Sequence, residues 1–332
     1  MARIGLVLGA GGSVGLAFHG GVLDAISHAT GWDPRTASVV VGTSAGSLTA
    51  ALLRAGLPAG DLAAISEDRP LSPAGEVLRR GSPLHNPRVS LGAFLKTRPF
   101  ADPRAIVEGL LRPWKRRPAA LAAALLPAGA ISTDAISSGL DAFYGARWPE
   151  LPTWLCAVRL SDGRRIPFGR PGSPPATVGA AVAASCAIPG YFTPVRIGGA
   201  RYVDGGVRSM LNLPLVREMD LDLVIVSAPM ACASRWPSAT ADAPLRWLLR
   251  AQLEREAGRV RRRGIPVLAL SPTQQVALAM GVNAMDGRRR ATVSRLARSS
   301  TLRYLERSDA GRQIAELLSA PSAAFTPRVV GG

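Results

Sequence analysis

Two glycine-rich turns, each directly after a short apolar run, constrain the fold of this chain more than any other feature. Ile4–Leu8 and residues 37–41 are the runs, and they predict buried parallel strands. Glycine-rich turns follow at 9–15 and 42–46, and each leads into a segment with helical spacing. This β-α-β-α order predicts right-handed crossovers and a three-layer α/β/α sandwich with a mainly parallel central sheet.

Length and composition predict a single globular domain. Of 332 residues, 47% are hydrophobic and 19% charged, which is typical of a chain with a packed core. We expect the domain to cover 1–320, with a C-terminal tail at 321–332. Residues 57–131, rich in Pro, Gly and Arg, are expected to form an insertion or cap. Within it, the apolar, arginine-containing stretch 101–131 predicts either a lid or an ordinary packed helix pair.

The rest of the chain continues the alternation of strands and helices. Strands are predicted at 153–160, 195–197, 201–203, 223–227 and 266–270, and helices at 132–144 (with Ser132 as N-cap), 177–187, 243–262, 288–306 and 310–319.

The chain is strongly basic, with a net charge of +17 that comes almost entirely from arginine. Such charge can attract an anionic membrane or nucleic acid, or it can simply be spread over the surface. The densest runs are Trp114-Lys115-Arg116-Arg117, Arg261-Arg262-Arg263 and Arg288-Arg289-Arg290.

Cysteine content and the N-terminal sequence indicate the compartment. Cys156, Cys186 and Cys232 are odd in number and scattered, which argues against a disulfide framework or a zinc site and favours a reducing environment. The N-terminal apolar run is broken by glycines and contains His19, so we expect no signal peptide. These features predict a cytoplasmic protein that contacts membranes at most peripherally.

Two segments match the G-x-S-x-G pattern of a nucleophile elbow, one around Ser13 and one around Ser44. Both follow predicted strands, so the pattern alone does not separate them. Acyl transfer also requires backbone N–H donors for the oxyanion, and the loop 9–15 is rich enough in glycine to expose such groups. This favours Ser44 as the nucleophile and the Ser13 segment as the oxyanion loop. A nucleotide phosphate cradle is the alternative, but Val14 replaces the third glycine of G-x-G-x-x-G.

The usual order of an α/β-hydrolase, with an acidic residue and then a histidine after the serine, finds little support here. Of the three histidines, His19, His28 and His85, only His85 follows Ser44, and it lies in the irregular segment 57–131. His19 and His28 are expected to be core or surface residues. Asp204, followed by two glycines, is the candidate base, and a buried carboxylate there would have a raised pKa. The alternative is that Asp204-Gly205 is only a turn.

Three segments together resemble the patatin-like phospholipase family across about residues 3–230. They are Leu8-Gly9-Ala10-Gly11-Gly12-Ser13-Val14-Gly15-Leu16-Ala17, Gly42-Thr43-Ser44-Ala45-Gly46-Ser47, and Ala184-Ser185-Cys186-Ala187-Ile188-Pro189-Gly190-Tyr191-Phe192 followed by Tyr202-Val203-Asp204-Gly205-Gly206. The resemblance implies a Ser–Asp dyad that cleaves acyl esters of lipids without a metal or other cofactor.

Carried over by position, the resemblance makes Ser44 the nucleophile and Asp204 the base. Gly42 and Gly46 flank the elbow. The N–H groups of Gly11 and Gly12 become oxyanion donors, with Ser13 close by. Val14 stands where the family often has arginine, which affects the expectation of phospholipid preference more than that of hydrolysis.

The sequence therefore predicts a serine acyl-hydrolase acting on carboxylic esters of lipids, either phospholipids or acylglycerols. Its expected partners are the lipid substrate and an anionic membrane surface, with no nucleic acid. A catalytically silent lipid- or acyl-binding protein of the same fold is the first alternative, and a nucleotide- or nucleic-acid-binding protein is the second. The sequence leaves the headgroup, the acyl length and the oligomeric state open.

Overall fold

The computed structural model describes residues 2–81, 129, 131–233 and 241–319. Within these ranges eight strands form one sheet. They are β1 (Ile4–Leu8), β2 (Val39–Thr43), β3 (Thr153–Arg159), β4 (Arg165–Phe168), β5 (Val195–Ile197), β6 (Ala200–Asp204), β7 (Leu223–Ser227) and β8 (Val267–Leu270).

Ten α-helices accompany the sheet in the described part of the chain. They are α1 (Gly12–Thr30), α2 (Ala45–Arg54), α3 (Ala59–Glu67), α4 (Pro73–Gly81), α5 (Asp134–Tyr144), α6 (Val178–Ser185), α7 (Ala243–Arg261), α8 (Gln274–Met280), α9 (Arg290–Arg307) and α10 (Asp309–Ser319). Short 3₁₀ turns occupy Pro34–Thr36, Gly205–Val207, Leu213–Val216 and Gly287–Arg289.

The sheet is mainly parallel, with an antiparallel margin. Hydrogen-bonded neighbours follow the path β5-β6-β3-β2-β1-β7-β8, in which β6 and β2 share one edge of β3 and β4 pairs with the other edge. The strands β3, β2, β1, β7 and β8 run parallel to one another, whereas β4 and β6 run antiparallel to β3. Strand β1 therefore lies inside the sheet, where both of its edges are hydrogen-bonded.

Each face of the sheet is covered by its own hydrophobic core. Because successive side chains of a strand point to opposite faces, Leu6 and Leu8 enter one core while Val7 enters the other. The first core includes helices α1, α2, α3, α6 and α9, and the second is closed by α7 through residues such as Leu253 and Val260. This arrangement confirms the predicted three-layer α/β/α sandwich.

The helix after the first glycine turn begins earlier than its sequence predicts. Helix α1 begins at Gly12 rather than near Leu16, although glycine is a poor helix former. Tertiary contacts hold this first turn: the N–H of Val14 donates to the carbonyl of Ala284 at 3.1 Å, and Gly15 packs against Pro229. At the N-cap of α5, Thr133 takes the place expected of Ser132, whose hydroxyl instead accepts the N–H of Asp134.

The predicted insertion begins in the structure as part of the core. The core that contains α1 also includes Leu57, just before α3, and Ala59 and Leu62 within α3. The start of the 57–131 segment therefore packs in the main helical layer, and an insertion or cap in its later part stays a prediction. The lid predicted at 101–131 lies almost wholly outside the described residues, as does the tail 321–332.

Candidate active site

Ser44 stands on a sharp turn between β2 and α2. Its backbone has φ 53° and ψ −119°, a conformation that a residue with a side chain rarely adopts. The turn is held from both sides: the N–H groups of Ser47 and Leu48 donate to the Ser44 carbonyl, and the N–H of Ser44 donates to the Ser185 hydroxyl at 2.9 Å. Such a turn presents the serine oxygen at the carboxyl end of the sheet.

Close packing requires the glycines on either side of Ser44. A side-chain carbon at Gly46 would lie 2.0 Å from the carbonyl oxygen of Leu8, and one at Gly42 would lie 2.6 Å from the Gly46 carbonyl oxygen. Both obstacles are backbone atoms, which cannot move aside as a flexible side chain can. The elbow thus packs directly on β1.

The sheet register brings Asp204 to Ser44. Strand β4 pairs with residues 155–158 of β3. Residues 155 and 156 also pair with β2, and residues 157 and 158 also pair with β6. Because a strand has only two edges, β2 and β6 must occupy the same edge of β3, one after the other. Strand β2 ends with Thr43 opposite Cys156, while β6 arrives from the other direction and ends with Asp204 opposite Ala157. The carboxyl ends of β2 and β6 therefore meet along this edge of β3.

A hydrogen bond holds the Asp204 carboxylate at this junction: the N–H of Gly206 donates to Oδ1 at 2.7 Å. The Ser44 hydroxyl lies near enough to lower the pKa of this carboxyl. The next residue, Gly205, leaves no room for a side chain, because a carbon there would lie 2.3 Å from the Cys156 carbonyl oxygen. The Asp-Gly-Gly segment is a turn, as the simpler interpretation held, and the same turn brings the carboxylate to the serine.

Burial dominates the electrostatics of the pair. Ser44 is 3% exposed and Asp204 is 5% exposed. Burial raises the pKa of Asp204 to about 6, and interactions with the Ser44 hydroxyl and the Gly206 N–H oppose this rise without cancelling it. The neighbouring Cys186 thiol has a pKa raised to about 12, first by burial and then by the charge of Asp204, so it stays protonated and does not compete as a nucleophile.

The first glycine-rich loop lies against the same junction. Ala10 packs near Gly206, within 3.5 Å of where a side-chain carbon on that glycine would stand, and the N–H of Ala10 donates to the Met210 carbonyl at 2.8 Å. The N–H groups of Gly11, Gly12 and Ser13 have no backbone acceptor among the described residues. They lie at the positive end of the α1 dipole, where an anion is favoured. Gly12 and Ser13 line the cavity that contains Ser44, whereas Gly11 packs against Pro229.

His19 positions this loop and takes no part in the junction. It is buried on α1, with Nε2 2.8 Å from the Gly9 carbonyl oxygen and Nδ1 2.7 Å from the Ser227 hydroxyl. A carbonyl only accepts, so Nε2 carries the proton and Nδ1 accepts from Ser227. Burial lowers the pKa of His19 to about 4, which keeps the ring neutral. His28 is exposed, and His85 lies outside the described residues.

An apolar cavity of about 170 Å³ opens beside Ser44. Its walls come from helices α1, α2, α3 and α5, from the segment after α6 and from the start of α9 with the turn before it. Its larger apolar lining residues are Leu16, Leu48, Leu52, Leu62, Ile65, Ile136, Ile188, Phe192 and Met285. Ser13, Ser66 and Arg290 add polar groups. Ser44 is one of the wall residues, whereas Asp204 is not. A cavity of this lining suits a hydrocarbon chain.

Several of these wall residues carry no signal in the sequence. Arg290 is the last residue of a basic run for which the sequence leaves both an anion-binding patch and dispersed surface charge open, and Ile65 and Leu62 fall in the predicted cap. Of the basic runs, Arg261–Arg263 and Arg288–Arg289 are exposed, and residues 114–117 lie outside the described residues. Among the described residues no group of three His, Cys, Asp or Glu side chains is arranged to hold a metal ion. None of the described helices combines the length and apolarity needed to span a bilayer.

Fold and site together define an α/β/α protein with a serine on a strand-to-helix elbow, an adjacent buried aspartate and an apolar cavity. The chain belongs to the patatin-like phospholipase family, whose model matches residues 6–217. This confirms the predicted family and assigns the chain to the lipid acyl hydrolases in general. Among solved structures, VipD from Legionella pneumophila is similar at 13% identity with a TM-score of 0.42, covering 91% of this chain and 66% of VipD. The chain thus spans about two thirds of that relative's length.

Proposed function

We propose that this protein is a serine acyl-hydrolase that cleaves carboxylic esters of lipids, with Ser44 as nucleophile and Asp204 as base. The observation that carries the proposal is the juxtaposition of Ser44, on its elbow after β2, with the buried Asp204 carboxylate at the end of β6, beside an apolar cavity that Ser44 lines. Family membership supports the reaction class. A raised pKa near 6 makes Asp204 a stronger base than an ordinary carboxylate, yet leaves it mostly ionised at neutral pH.

The reaction follows from these positions. The Ser44 oxygen attacks the ester carbonyl while Asp204 takes the proton of the Ser44 hydroxyl. The acyl chain lies in the cavity. The oxyanion is stabilised by the N–H groups of Gly12 and Ser13, with Gly11 as a further candidate donor, and by the dipole of α1. The alcohol leaves with the proton from Asp204, and an acyl-enzyme remains. Water that gives its proton to Asp204 then releases the fatty acid and restores Ser44.

Covalent labelling tests the nucleophile. A fluorophosphonate probe should modify the wild-type protein, and peptide mapping should find the label on Ser44. A label on Ser13, the serine of the second G-x-S-x-G match, would overturn the assignment. Ser44→Ala should abolish labelling. Absence of labelling and hydrolysis in a folded wild type that still binds fatty acid would favour the silent acyl-binding protein instead.

Hydrolysis tests the base and the substrate class. We expect activity on phospholipids, monoacylglycerols and short p-nitrophenyl esters to fall at least 100-fold in Asp204→Asn, because general-base catalysis contributes on this scale. Asp162→Asn makes the same chemical change in a surface turn and should keep the wild-type rate. Equal rates in Asp204→Asn and the wild type would eliminate Asp204 as the base.

We further propose a cytoplasmic location with peripheral contact to anionic membranes. The net charge of +17, the exposed Arg261–Arg263 and Arg288–Arg289, and the three free cysteines support this assignment. Vesicles containing phosphatidylserine should co-sediment with the protein at low salt and release it at high salt, whereas pure phosphatidylcholine vesicles should bind little. Equal sedimentation with both vesicle types would contradict an electrostatic contact.

A further inference from the structure

The wall of the cavity beside Ser44 contains a hydroxyl that no other described residue hydrogen-bonds. Ser13 is only 5% exposed, and its Oγ has no hydrogen-bond partner among the described residues. Because Ser13 lines the cavity, the missing partner can come from a molecule bound there. A buried hydroxyl without a partner carries a desolvation cost, which a ligand oxygen would remove.

Arg290 supplies a second unsatisfied donor in the same wall. The side chain is half-buried at the start of α9, and its Nη2 donates to the Ile65 carbonyl at 2.7 Å. Its Nε is buried without a hydrogen-bond partner among the described residues. A guanidinium that lines a mostly apolar cavity and keeps a free N–H is suited to a charged acceptor.

Arg290 and Ser13 lie close to one another. A side-chain carbon placed on Gly287 would stand 3.7 Å from Ser13 Oγ and 4.0 Å from Arg290 Cδ. The two side chains therefore approach the same point above Gly287. A group held there would remain in the cavity that Ser44 also lines.

Nearby carboxylates leave the Arg290 charge available. Glu67 accepts hydrogen bonds from Ser294 and Arg69, and Asp286 accepts from Arg288 and Arg289. Asp68 acts on Arg290 only through its charge, because no ion pair joins the two side chains in the described structure. The positive charge in the cavity wall thus lacks a partner of opposite sign within the described residues.

We propose that Arg290 and Ser13 bind a phosphate oxygen of the lipid headgroup, so that the site selects phospholipid esters over neutral acylglycerols with the same acyl chains. This inference rests on the proposed function and names its substrate class. The Arg290 N–H and the Ser13 hydroxyl donate to the phosphodiester, and the acyl chain lies along the apolar wall with its ester at Ser44.

The test compares two substrates in one assay. Dioleoylphosphatidylcholine and dioleoylglycerol are presented in uncharged detergent micelles, which removes the attraction of the whole protein to an anionic surface. The readout is the ratio of the two kcat/KM values. We expect Arg290→Met, which keeps the length and loses the charge, to lower this ratio about 10- to 100-fold, as loss of a charge-assisted hydrogen bond does. Ser13→Ala should lower it less, by about 3- to 10-fold.

Arg288→Met is the matched control. Arg288 lies two residues before Arg290, and its side chain is 91% exposed, so this variant removes the same charge outside the cavity. Its ratio should equal that of the wild type. Arg290→Lys, which keeps a cation, should recover part of the ratio and serves if Arg290→Met fails to fold. An unchanged ratio in both Arg290 variants would overturn the inference while leaving the hydrolase intact. A wild type that hydrolyses neither substrate would overturn the proposed function instead.

Inorganic phosphate distinguishes a lipid headgroup from a free anion. If the site is built for the substrate's own phosphodiester, millimolar phosphate should inhibit dioleoylglycerol hydrolysis weakly, and the wild type should still prefer phospholipid. Strong inhibition that requires Arg290, together with no preference for phospholipid, would identify a free-phosphate site and reject the substrate assignment.

Discussion

Asp204, the proposed base, is strongly altered by its surroundings. Burial raises its pKa to about 6, so the base changes protonation within an accessible pH range. Only the ionised carboxylate can accept the serine proton, and therefore kcat/KM for a soluble ester such as p-nitrophenyl butyrate should rise with pH, reach half its maximum near pH 6 and level off above about pH 7. A profile that is flat between about pH 5 and pH 8 would contradict Asp204 as the titrating base.

The same shift has the opposite consequence for stability. Because the folded-state pKa of Asp204 lies above the ordinary value of 3.8, folding favours the neutral carboxyl. The stability this provides is fully present below about pH 4 and is lost as the pH rises through about 6. Asp204→Asn, which stays neutral, should therefore raise the free energy of unfolding by about 1–3 kcal/mol at pH 8 and have little effect at pH 4, as measured by urea denaturation.

Asp162 provides a control of opposite sign for that measurement. Partial burial raises the pKa of Asp162, but hydrogen bonds from Arg159 and Arg164 outweigh it and leave the pKa lowered. Its stabilising contribution is present above the ordinary pKa and lost on acidification. Asp162→Asn should thus destabilise the protein slightly near neutral pH. If both variants changed stability in the same direction at pH 8, burial would not be the cause of the Asp204 effect.

At the residue scale the sequence predicts which side chains could react better than it predicts which side chains line the cavity around them. Ser44 and Asp204 can be chosen as candidates because a nucleophile and a carboxylate occur in recognisable motifs, and both lie at the ends of strands. Arg290 could not be chosen, because nothing in an Arg-Arg-Arg run tells which member turns toward a cavity. Helix α9 determines that direction, and its packing against α1 depends on contacts far apart in the sequence.

The strand-to-helix elbow is the element most sensitive to added volume. A methyl group at Gly46 would lie 2.0 Å from the Leu8 carbonyl oxygen, so either β1 or the start of α2 would have to move. We expect Gly46→Ala to lower the free energy of unfolding by about 3 kcal/mol or more, together with loss of fluorophosphonate labelling. Urea denaturation and the labelling rate measure the two effects.

Gly258→Ala is the matched control, since this glycine lies inside α7 and an added carbon would approach only the Arg262 side chain, at 3.6 Å. Alanine is the better helix former, so this variant should gain up to about 1 kcal/mol and keep full activity. Equal unfolding midpoints for the two variants would show that the elbow does not constrain residue 46.

Elements with a strong apolar pattern were predicted close to their observed bounds, as β1 and β7 show. Strand β2 continues through Gly42 and Thr43, two residues beyond its predicted end, because pairing with β3 extends it. Strand β4 and helix α8 were not predicted, since four and seven residues are too few to establish a period. Local patterns identify elements, but neighbouring strands and helices decide where the elements begin and end.

At the scale of the whole molecule, the residues beyond the family match are required for the fold. The match ends at residue 217, and the sequence resemblance adds little after about 230. Yet β7, at Leu223–Ser227, pairs with β1 along its whole length and carries β8 beyond it, while α9 packs on α1. Without them, one edge of β1 would lose its hydrogen bonds and both cores would open to water.

A truncation can test this dependence. We expect a protein ending at residue 217 to be insoluble, or to lack a cooperative unfolding transition by circular dichroism, because its unpaired β1 edge is an apolar template for aggregation. A protein ending at residue 320, which removes only the predicted tail, should unfold cooperatively and keep its fluorophosphonate labelling. Cooperative unfolding and labelling of the shorter protein would mean that the matched segment forms a complete domain, and that β7 and α9 stabilise a site already built without them.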